Sequence, residues 1–338
     1  MKKILVVNVN WLGDVLFSTP ALRALREKEP QAHISCLVLP RCEEILRNNP
    51  RICEIIIYDE YGKHRSFWAK LKFILMLRKK RFDTVFTLHP SLRRAMIGFL
   101  AGIPNRFGYN TKGRAWLLTR AVLPPDEPVH KIDYFLHLFK ELEIEAFDRK
   151  YEFFISAENR KKAGELLSEL KIGPEDKFVI LNPGGNWALK RWPSGYFAKL
   201  GDKLINETGV RVVIVGAKKD RELAAMVKVK MNWMPNILCG KTNLGELAAL
   251  MERAACVVSA DSGPMHIACA VGANTVAIFG PTSPELTGPW GQEKVKVLQE
   301  DIGCAVPCYE LTCTDNRCMQ AVSPETVYNC VLQFINKK

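Results

Sequence analysis

The sequence predicts an α/β protein made of two Rossmann-like, doubly wound domains that face each other across a cleft. Two observations lead to this prediction. Short apolar runs alternate with helical segments from residue 4 onward, and the same alternation begins again at residue 178. That pattern is typical of parallel sheets covered by helices. The chain also has 338 residues, which is long for a single hydrophobic core.

The first half contains one complete series of strands and helices. Its predicted strands are Ile4–Val9, Ile34–Leu39, Ile55–Tyr58, Thr84–Leu88 and short segments near Arg106–Tyr109 and Ala121–Leu123. Its predicted helices are Thr19–Lys28, Cys42–Asn48, Phe67–Lys79, Leu92–Leu100 and Asp133–Glu141. A turn at Trp11–Asp14 is expected to join the first strand to the first helix, and the charged stretch to about residue 175 is expected to bridge the domains.

The second half repeats the series. Its predicted strands are Phe178–Asn182, Val210–Val215, Ile237–Leu238, Ala255–Ala260 and Thr275–Phe279. Its predicted helices are Ser194–Glu207 with Ser194 as N-cap, Arg221–Met231, Leu244–Arg253 and Pro264–Val271. The expected boundaries are therefore residues 1–165 for the first domain, 170–322 for the second and 323–338 for a C-terminal helix.

The stretch 255–281 has the order strand, polar corner, helix and strand. Pro264 suits the first turn of that helix, because its φ is already helical and its missing N–H would have had no partner. Free N–H groups and the positive end of the helix dipole make such a corner a phosphate site. An ordinary N-capped helix in an α/β layer has the same pattern, and the stretch alone leaves both interpretations open.

Charge is concentrated in the first half. Residues 1–150 carry 26 Lys and Arg against 16 Asp and Glu, which gives +10 of the total +12. An anionic partner is the expected consequence, with a merely basic surface as the alternative. No zinc-finger, helix-turn-helix or RNA-recognition signature is present, so nucleic acid is not expected. Residues 63–81 combine eight Lys and Arg with apolar side chains; they are expected either to lie on anionic lipid or to pack on the sheet with a solvated basic face.

Eleven cysteines occur without an export signal or a membrane-spanning run, which predicts a reducing, cytoplasmic location. Cys304, Cys308, Cys313 and Cys318 are loosely compatible with a metal site or a redox pair, but their spacing matches no strict signature.

Two loops contain candidate catalytic groups. Asp14 follows Gly13 after the first strand, where a carboxylate acts as a base or, more commonly, caps a helix. Lys190 and Arg191 follow the glycines of Asn182–Gly185, and two adjacent cations suit a diphosphate leaving group. A turn followed by surface charges is the alternative for that second loop.

Two further groups border the same edge of the second sheet. Asp220 and Glu222 are placed either to accept the hydroxyls of a ribose or to cap a helix. His266 lies one turn into the helix that follows Asp261–Gly263, either in the core or beside a phosphate. The sequence has no G-x-G-x-x-G after its first strand, no P-loop, no G-x-S-x-G elbow and no D-x-D pair for a metal.

Several segments in one order resemble the ADP-heptose:lipopolysaccharide heptosyltransferases of glycosyltransferase family 9, most closely their heptosyltransferase II branch. The segments are GDVLFSTPALRAL, SLRRAMIGFLAGIPNRFGY, TKGRAWLLT, HKIDYFL, NPGGNWALKRWP and ADSGPMHIACAVGANTVAIFGPTSP. The resemblance covers the chain almost end to end. It implies a GT-B fold and an inverting transfer without metal or other cofactor.

The resemblance also implies roles for single residues. Asp14 matches the catalytic base and Lys190 the lysine that contacts the diphosphate. Asp261, Ser262, Gly263 and His266 match the donor-binding loop. The second domain is expected to bind ADP-heptose through these four residues and also through Gly184, Gly185, Asn186, Arg191, Glu222, Pro264 and Met265. The first domain is expected to bind the acceptor, a phosphorylated lipid A and inner-core saccharide, through Gly13, Arg93, Arg94, Arg106, Lys112 and Arg114.

One departure from the family pattern stands on the expected acceptor side. His89-Pro90 replaces the more usual Pro-Asn or Pro-Arg before Ser91. The alternatives are a related transferase with another nucleotide-sugar donor and a non-catalytic protein that binds a sugar nucleotide or lipid. The location expected from the resemblance is cytoplasmic, and a peripheral contact with an anionic membrane surface is left open.

Overall fold

The computed structural model describes residues 1–290, 293–310 and 312–336. These residues form two compact units, Met1–Phe154 and a second that begins at Ile155. In the part of the chain so described, no helix is both long enough and apolar enough to cross a membrane.

The first unit is a parallel six-stranded sheet with helices. Its strands are β1 Lys3–Val7, β2 His33–Val38, β3 Glu54–Ile57, β4 Thr84–Thr87, β5 Asn105–Tyr109 and β6 Arg120–Val122. Its helices are α1 Leu12–Phe17, α2 Thr19–Lys28, α3 Glu43–Leu46, α4 Phe67–Lys80, α5 Leu92–Leu100 and α6 Lys131–Lys140. The strand order is β3-β2-β1-β4-β5-β6.

The second unit repeats this architecture. Its strands are β7 Phe178–Asn182, β8 Arg211–Ile214, β9 Asn236–Ile237, β10 Cys256–Ala260, β11 Thr275–Ile278 and β12 Val295–Leu298. Its helices are α7 Ala157–Glu169, α8 Ser194–Thr208, α9 Arg221–Val229, α10 Leu244–Arg253, α11 Gly263–Ala270, α12 Pro284–Thr287, α13 Arg317–Ala321 and α14 Pro324–Ile335. The order β12-β11-β10-β7-β8-β9 is that of the first sheet, starting from the other edge.

Each sheet has a point where the strand order reverses, between β1 and β4 in the first unit and between β7 and β10 in the second. Open parallel sheets bind their ligands at the carboxyl ends of the strands beside such a point. Buried aliphatic and aromatic side chains on the faces of both sheets form the cores and fix the strands. The loops after β1, β4, β7 and β10 are therefore held on a rigid support.

The division between the units lies between Phe154 and Ile155. The boundary expected from the sequence was later in the chain, between residues 165 and 170. Contacts of the residues on either side of Phe154 and Ile155 explain this position of the boundary. Glu152 donates its N–H to Thr19 Oγ1 at 2.9 Å and accepts an ion pair from Arg23 at 2.8 Å. On the other side, α7 packs in the second unit, where Arg160 binds Glu252 through two nitrogens at 2.9 Å.

Several local predictions differ from the structure, and helix α7 lies within the stretch predicted to bridge the domains. Residues 12–17 form helix α1 rather than part of a turn. Pro193, not Ser194, is the N-cap of α8, and α11 begins at Gly263, one residue before Pro264. The edge strand β12 was not predicted. The C-terminal helix α14 packs within the second core, to which it contributes Val327 and Val331.

Candidate functional site

A buried polar network joins β7 and β10 where the strand order reverses. Asn182 and Ser259 are partners in the register of these strands, and Asn182 Nδ2 donates to Ser259 Oγ at 2.8 Å. The same amide nitrogen lies 3.2 Å from Ser262 Oγ. Ser262 in turn caps α11 by accepting the N–H of Met265. The start of α11 is thereby fixed to the end of β7.

Asp261 is the centre of the candidate donor site. Its carboxylate is 7% exposed. Oδ2 accepts from Lys190 Nζ at 2.7 Å and from Thr282 Oγ1 at 2.8 Å, while Oδ1 lies 3.6 Å from His266 Nε2. One buried carboxylate thus contacts Lys190 from the segment after β7, His266 from α11 and Thr282 from the loop after β11. It holds the ammonium group of Lys190 at the carboxyl ends of the strands.

The charge of this carboxylate is stabilised by its neighbours. Burial alone raises the pKa of Asp261, but the facing His266 and Lys190 outweigh burial and hold the pKa well below its usual range. Asp261 is therefore ionised throughout the neutral range. The side chain of Lys190 is 26% exposed.

The glycine loop after β7 is shaped by close backbone approach. A Cβ on Gly184 would lie 2.7 Å from Asp220 Oδ2, so only glycine fits there. Asp220 is buried and accepts the N–H of Ala217 at 2.9 Å, which closes the short 3-10 turn Lys218–Asp220; at the start of α9 its side chain makes no capping hydrogen bond. Arg191 donates to the carbonyl of Gly185 from Nε at 3.1 Å and from Nη2 at 2.7 Å.

The remaining predicted donor residues have different positions. Asn186 is exposed and accepts from Lys219 Nζ. Glu222 is exposed in the first turn of α9. Gly263 and Pro264 begin α11, but the side chain of Met265 is fully buried. Met265 therefore belongs to the core, and its side chain cannot contact a donor.

The loop after β11 is held by residues near the cysteine-rich segment. Gln299 Nε2 donates to the carbonyls of Gly280 and Thr282, each at 2.9 Å, and Cys308 donates its N–H to the carbonyl of Pro281 at 2.7 Å.

A cavity of about 460 Å³ beside this loop is lined by residues that include Cys304, Cys308, Cys313 and Cys318. All four are free thiols. Within residues 1–290, 293–310 and 312–336, no three or more His, Cys, Asp or Glu side chains are grouped so as to hold a metal ion.

In the first unit, Asp14 lies in the first turn of α1, where a negative charge is favoured by the helix dipole. Trp11 is the N-cap, so Asp14 does not occupy the capping position. The approach to α1 is fixed by buried polar contacts: Asn8 Nδ2 donates to Ser18 Oγ at 2.9 Å, and Ser18 Oγ donates to the carbonyl of Val15 at 2.7 Å.

Asp14 lines a cavity of about 210 Å³ together with residues of three other segments. The other lining residues are Val9, Asn10, Trp11, Leu88, His89, Pro90, Lys131, Tyr134 and Phe135. They come from the ends of β1 and β4 and from α6, so the cavity lies where the order of the first sheet reverses. The space suits a small polar group such as a sugar hydroxyl with its neighbours.

His89 is held neutral in this cavity. Its Nδ1 accepts the N–H of Ser91 at 3.1 Å, and its Nε2 lies 3.0 Å from Asn10 Nδ2. Burial, followed by the charges of Arg94, Arg114 and Lys112, lowers the pKa of His89 to about 4. The imidazole is therefore uncharged at neutral pH.

The predicted acceptor cations separate into two groups. Arg94 is 3% exposed and pairs with Glu60 at 2.8 Å. Arg114 is fully buried, with Nε donating to the carbonyl of Tyr109 at 2.7 Å. Arg106 donates to the carbonyls of Leu117, Ile103 and Pro104. These three guanidinium groups hold the unit together, whereas Arg93 and Lys112 are exposed.

Several residues at these edges were not singled out from the sequence. Thr282 and Gln299 support the candidate donor loop, and Ser259, together with Asn182 of the predicted glycine loop, fixes the start of α11. Thr282 stands inside the FGPTSP motif, which was a signal for it. Gln299 follows the unpredicted β12, and nothing in its local sequence pattern indicates its role.

Comparisons with known proteins agree with one another. A model of glycosyltransferase family 9 (heptosyltransferase) matches residues 70–318. Lipopolysaccharide heptosyltransferase 2 of Salmonella typhimurium strain LT2 is 32% identical over 314 residues, 88% of this chain and 88% of that protein. A glycosyl transferase family 9 structure from Veillonella parvula DSM 2008 has a TM-score of 0.89 at 27% identity and covers 99% of this chain and 97% of that one. E. coli ADP-heptose lipopolysaccharide heptosyltransferase II has a TM-score of 0.83 at 26% identity, with 99% and 98% covered.

These matches span both units and confirm the predicted α/β fold class of GT-B type and the predicted resemblance. The chain therefore belongs to glycosyltransferase family 9, the heptosyltransferase family, and is a glycosyltransferase.

Proposed function

We propose that this enzyme transfers heptose from ADP-heptose to the inner core of lipopolysaccharide, with inversion at the anomeric carbon. The observation that supports this most is the arrangement around Asp261. A buried carboxylate holds Lys190 beside the start of α11, so that an ammonium group and a helix N-terminus lie at one sheet edge. Both favour a bound diphosphate.

Lys190 would stabilise ADP as it leaves. The bond between the anomeric carbon and the diphosphate oxygen breaks with its electron pair on ADP, so negative charge grows on the diphosphate. Lys190 donates one hydrogen bond to Asp261, and an ammonium group has two further protons for phosphate oxygens. Asp261 is a positioning residue in this proposal. Arg191 is assigned to the shape of the glycine loop through Gly185.

Asp14 would act as the general base. An acceptor hydroxyl enters the cavity beside Asp14, its oxygen attacks the anomeric carbon from the face opposite ADP, and its proton passes to the carboxylate. Neutral His89 and Asn10 line the same cavity and would orient the sugar by hydrogen bonds. Because Arg94, Arg106 and Arg114 are engaged internally, exposed Arg93 and Lys112 are the cations we assign to the acidic acceptor.

The acceptor in this proposal is a phosphorylated lipid A that bears inner-core sugars. The reaction would therefore take place in the cytoplasm, at the surface of the inner membrane. The basic first unit suits such a substrate, because several converging charges attract a polyanion more strongly than single exposed ones.

The test is a transfer assay with a panel of nucleotide sugars, preceded by thermal unfolding with each one. A donor at 100 times its Kd adds about 2.7 kcal/mol of stability, so ADP-heptose should raise the unfolding temperature most and should alone support turnover. EDTA should leave the rate unchanged, since Lys190 and α11 are proposed to supply the positive charge. Preferential stabilisation and transfer with another nucleotide sugar would contradict the donor assignment.

A further inference from the structure

Helix α4 has two apolar faces, of which only one packs on the sheet. Phe73 and Leu77 are buried in the core of the first unit. At one turn per 3.6 residues, Phe67, Leu71 and Leu75 form a second stripe, centred roughly 140° away around the helix axis. Trp68 adjoins that stripe. Their exposed fractions are 71% for Phe67, 39% for Leu71, 47% for Leu75 and 69% for Trp68.

This exposed stripe needs a physical explanation. Single exposed apolar residues are normal on protein surfaces, but a contiguous row with two aromatic rings at its end marks an interaction surface. The rings of Phe67 and Trp68 contact each other edge to face, with centroids 5.4 Å apart. Arg78, at the far end of α4, reaches to within 4 Å of the position a Cβ would take on Gly102, just after α5. There Phe99 and Leu100 are also exposed.

The charge around the stripe specifies the partner. Residues 63–82 contain eight Lys and Arg and no Asp or Glu. Lys70, Lys72, Arg78 and Lys79 are exposed on α4 itself, whereas Lys80 pairs with Glu54 at 2.5 Å. On a helical wheel Arg78 lies within the apolar stripe, Lys79 and Lys72 lie beyond one edge, and Lys70 lies beyond the other. Apolar side chains bordered by cations are the pattern of a helix that lies in the interface of an anionic bilayer.

A second copy of this chain fits the surface less well. Two such helices would bring two sets of unopposed cations together, and like charges across an interface are destabilising. Nor does α4 suit insertion across the membrane, because its 14 residues span only about 21 Å.

We propose that α4 docks the first unit on an anionic lipid surface, with Phe67, Trp68, Leu71 and Leu75 entering the headgroup region and the neighbouring Lys and Arg contacting lipid phosphates. The proposal rests on the proposed function only for its purpose, which is to reach a lipid-borne acceptor. The evidence for it is the exposed apolar stripe of α4 and the cations that border this stripe.

The experiment is co-sedimentation of the full chain with vesicles of phosphatidylcholine alone or with added phosphatidylglycerol. We expect binding to the anionic vesicles that weakens as salt rises. Replacing Phe67, Trp68, Leu71 and Leu75 together by Gln should lower the partition coefficient by about 100-fold or more. Lys70→Gln, Lys72→Gln and Lys79→Gln together should lower it by about 100-fold. Gln is a good helix former, so α4 should persist in both variants.

The matched control replaces Met226 and Val229, exposed apolar residues of α9 in the second unit, by Gln; partitioning should stay at the wild-type value. Unchanged partitioning of the fourfold variant, or no binding of the wild type to anionic vesicles, would overturn the proposal. A wild-type dimer in solution that the fourfold variant abolishes would show instead that α4 is an interface between copies.

A second readout separates this proposal from the proposed function. With a delipidated, water-soluble acceptor oligosaccharide, the fourfold variant should turn over at the wild-type rate, since α4 is assigned no part in the chemistry. Loss of transfer by both proteins on that substrate would count against the proposed function, while the vesicle result would still decide the docking surface.

Discussion

The two units have the same strand order but opposite chemistry at the edge where that order reverses. In the first, His89 follows β4 and is kept neutral by burial and nearby cations. In the second, Asp261 occupies the corresponding place after β10 and is kept ionised by His266 and Lys190. The first unit thus presents neutral His89, Asn10 and Asp14 beside a cavity that Lys131 also lines, whereas the second presents a cation held in place by a buried anion.

That difference suits the two demands of the inverting transfer proposed above. A hydroxyl that must lose a proton needs an acceptor for it and neutral groups that orient it. A diphosphate that must leave needs positive charge placed in advance. A shared topology can serve both, because function lies in the loops at the strand ends rather than in the sheet.

The largest expected effect is on the base. Asp14→Asn keeps the size of the side chain but cannot accept a proton, so kcat should fall by about 10² to 10⁴-fold. Steady-state kinetics at saturating ADP-heptose measure this. Asp126→Asn, which alters an exposed carboxylate of the same unit, is the control and should keep wild-type turnover. Turnover close to the wild type in Asp14→Asn would contradict the assignment of Asp14 as the base.

The next effect concerns the leaving group. Lys190→Ala should lower kcat/KM by about 10²-fold and also weaken ADP-heptose binding, because the proposal places this charge against the diphosphate before and during its departure. Lys199→Ala, an exposed lysine on α8, serves as the control. A Lys190→Ala enzyme with normal donor affinity and rate would show that the second edge does not hold the diphosphate.

Asp261→Asn should act chiefly on stability. It removes the charge that balances Lys190 and His266 inside a buried site, and we expect about 2 to 3 kcal/mol less free energy of unfolding. Chemical denaturation at neutral pH, with hydrogen exchange to locate the change in β7 and β10, measures it. Glu175→Gln, exposed in the same unit, should change little. Equal loss of protection in β1 and β4 would contradict a local role.

The last prediction distinguishes the two units by the pH dependence of their stability. The pKa of His89 is lowered from 6.5 to about 4, so the unfolded chain takes up a proton there that the folded unit excludes. The contribution of His89 to the free energy of unfolding is complete above about pH 6.5 and is lost as the pH falls toward 4. The lowered pKa of Asp261 has its effect only below the ordinary carboxyl range, near pH 4.

His89→Gln should therefore flatten the pH dependence of unfolding between about pH 6.5 and 4. Denaturation at several pH values measures the slope, and pH 7, where both side chains are uncharged, is the internal reference. An unchanged slope would mean that His89 does not titrate as its surroundings imply.

The sequence predicted most strands of both sheets, but only some of the side-chain positions at the carboxyl ends of those strands. The central strand β7 is a continuous apolar run and was predicted at its observed bounds, and β1, β4 and β10 were predicted to within two residues at each end. The edge strand β12 was missed because Val295–Leu298 is half exposed and short. Helix α1 was missed because Gly13, four residues after the predicted strand Ile4–Val9, is typical of a turn, and because the helix has only six residues.

Side-chain burial was the less predictable part. Arg93 and Arg94 are adjacent in sequence but lie about 100° apart on α5, so one is exposed and the other is buried and pairs with half-buried Glu60. Nothing in the local pattern separates them. The carboxylate of Asp261 was predictable as part of the donor motif, but its partner Thr282 lies 21 residues away and meets it only through the fold.

The most direct test of the division between the units is to measure the donor Kd and kcat side by side for Asp14→Asn and Lys190→Ala. Titration calorimetry with ADP-heptose gives the first quantity and single-turnover transfer the second. If the first unit supplies the base and the second holds the donor, Asp14→Asn should keep the wild-type Kd within about twofold while its rate collapses, and Lys190→Ala should lose both. Loss of donor affinity in Asp14→Asn equal to that in Lys190→Ala, or an intact transfer rate, would contradict it.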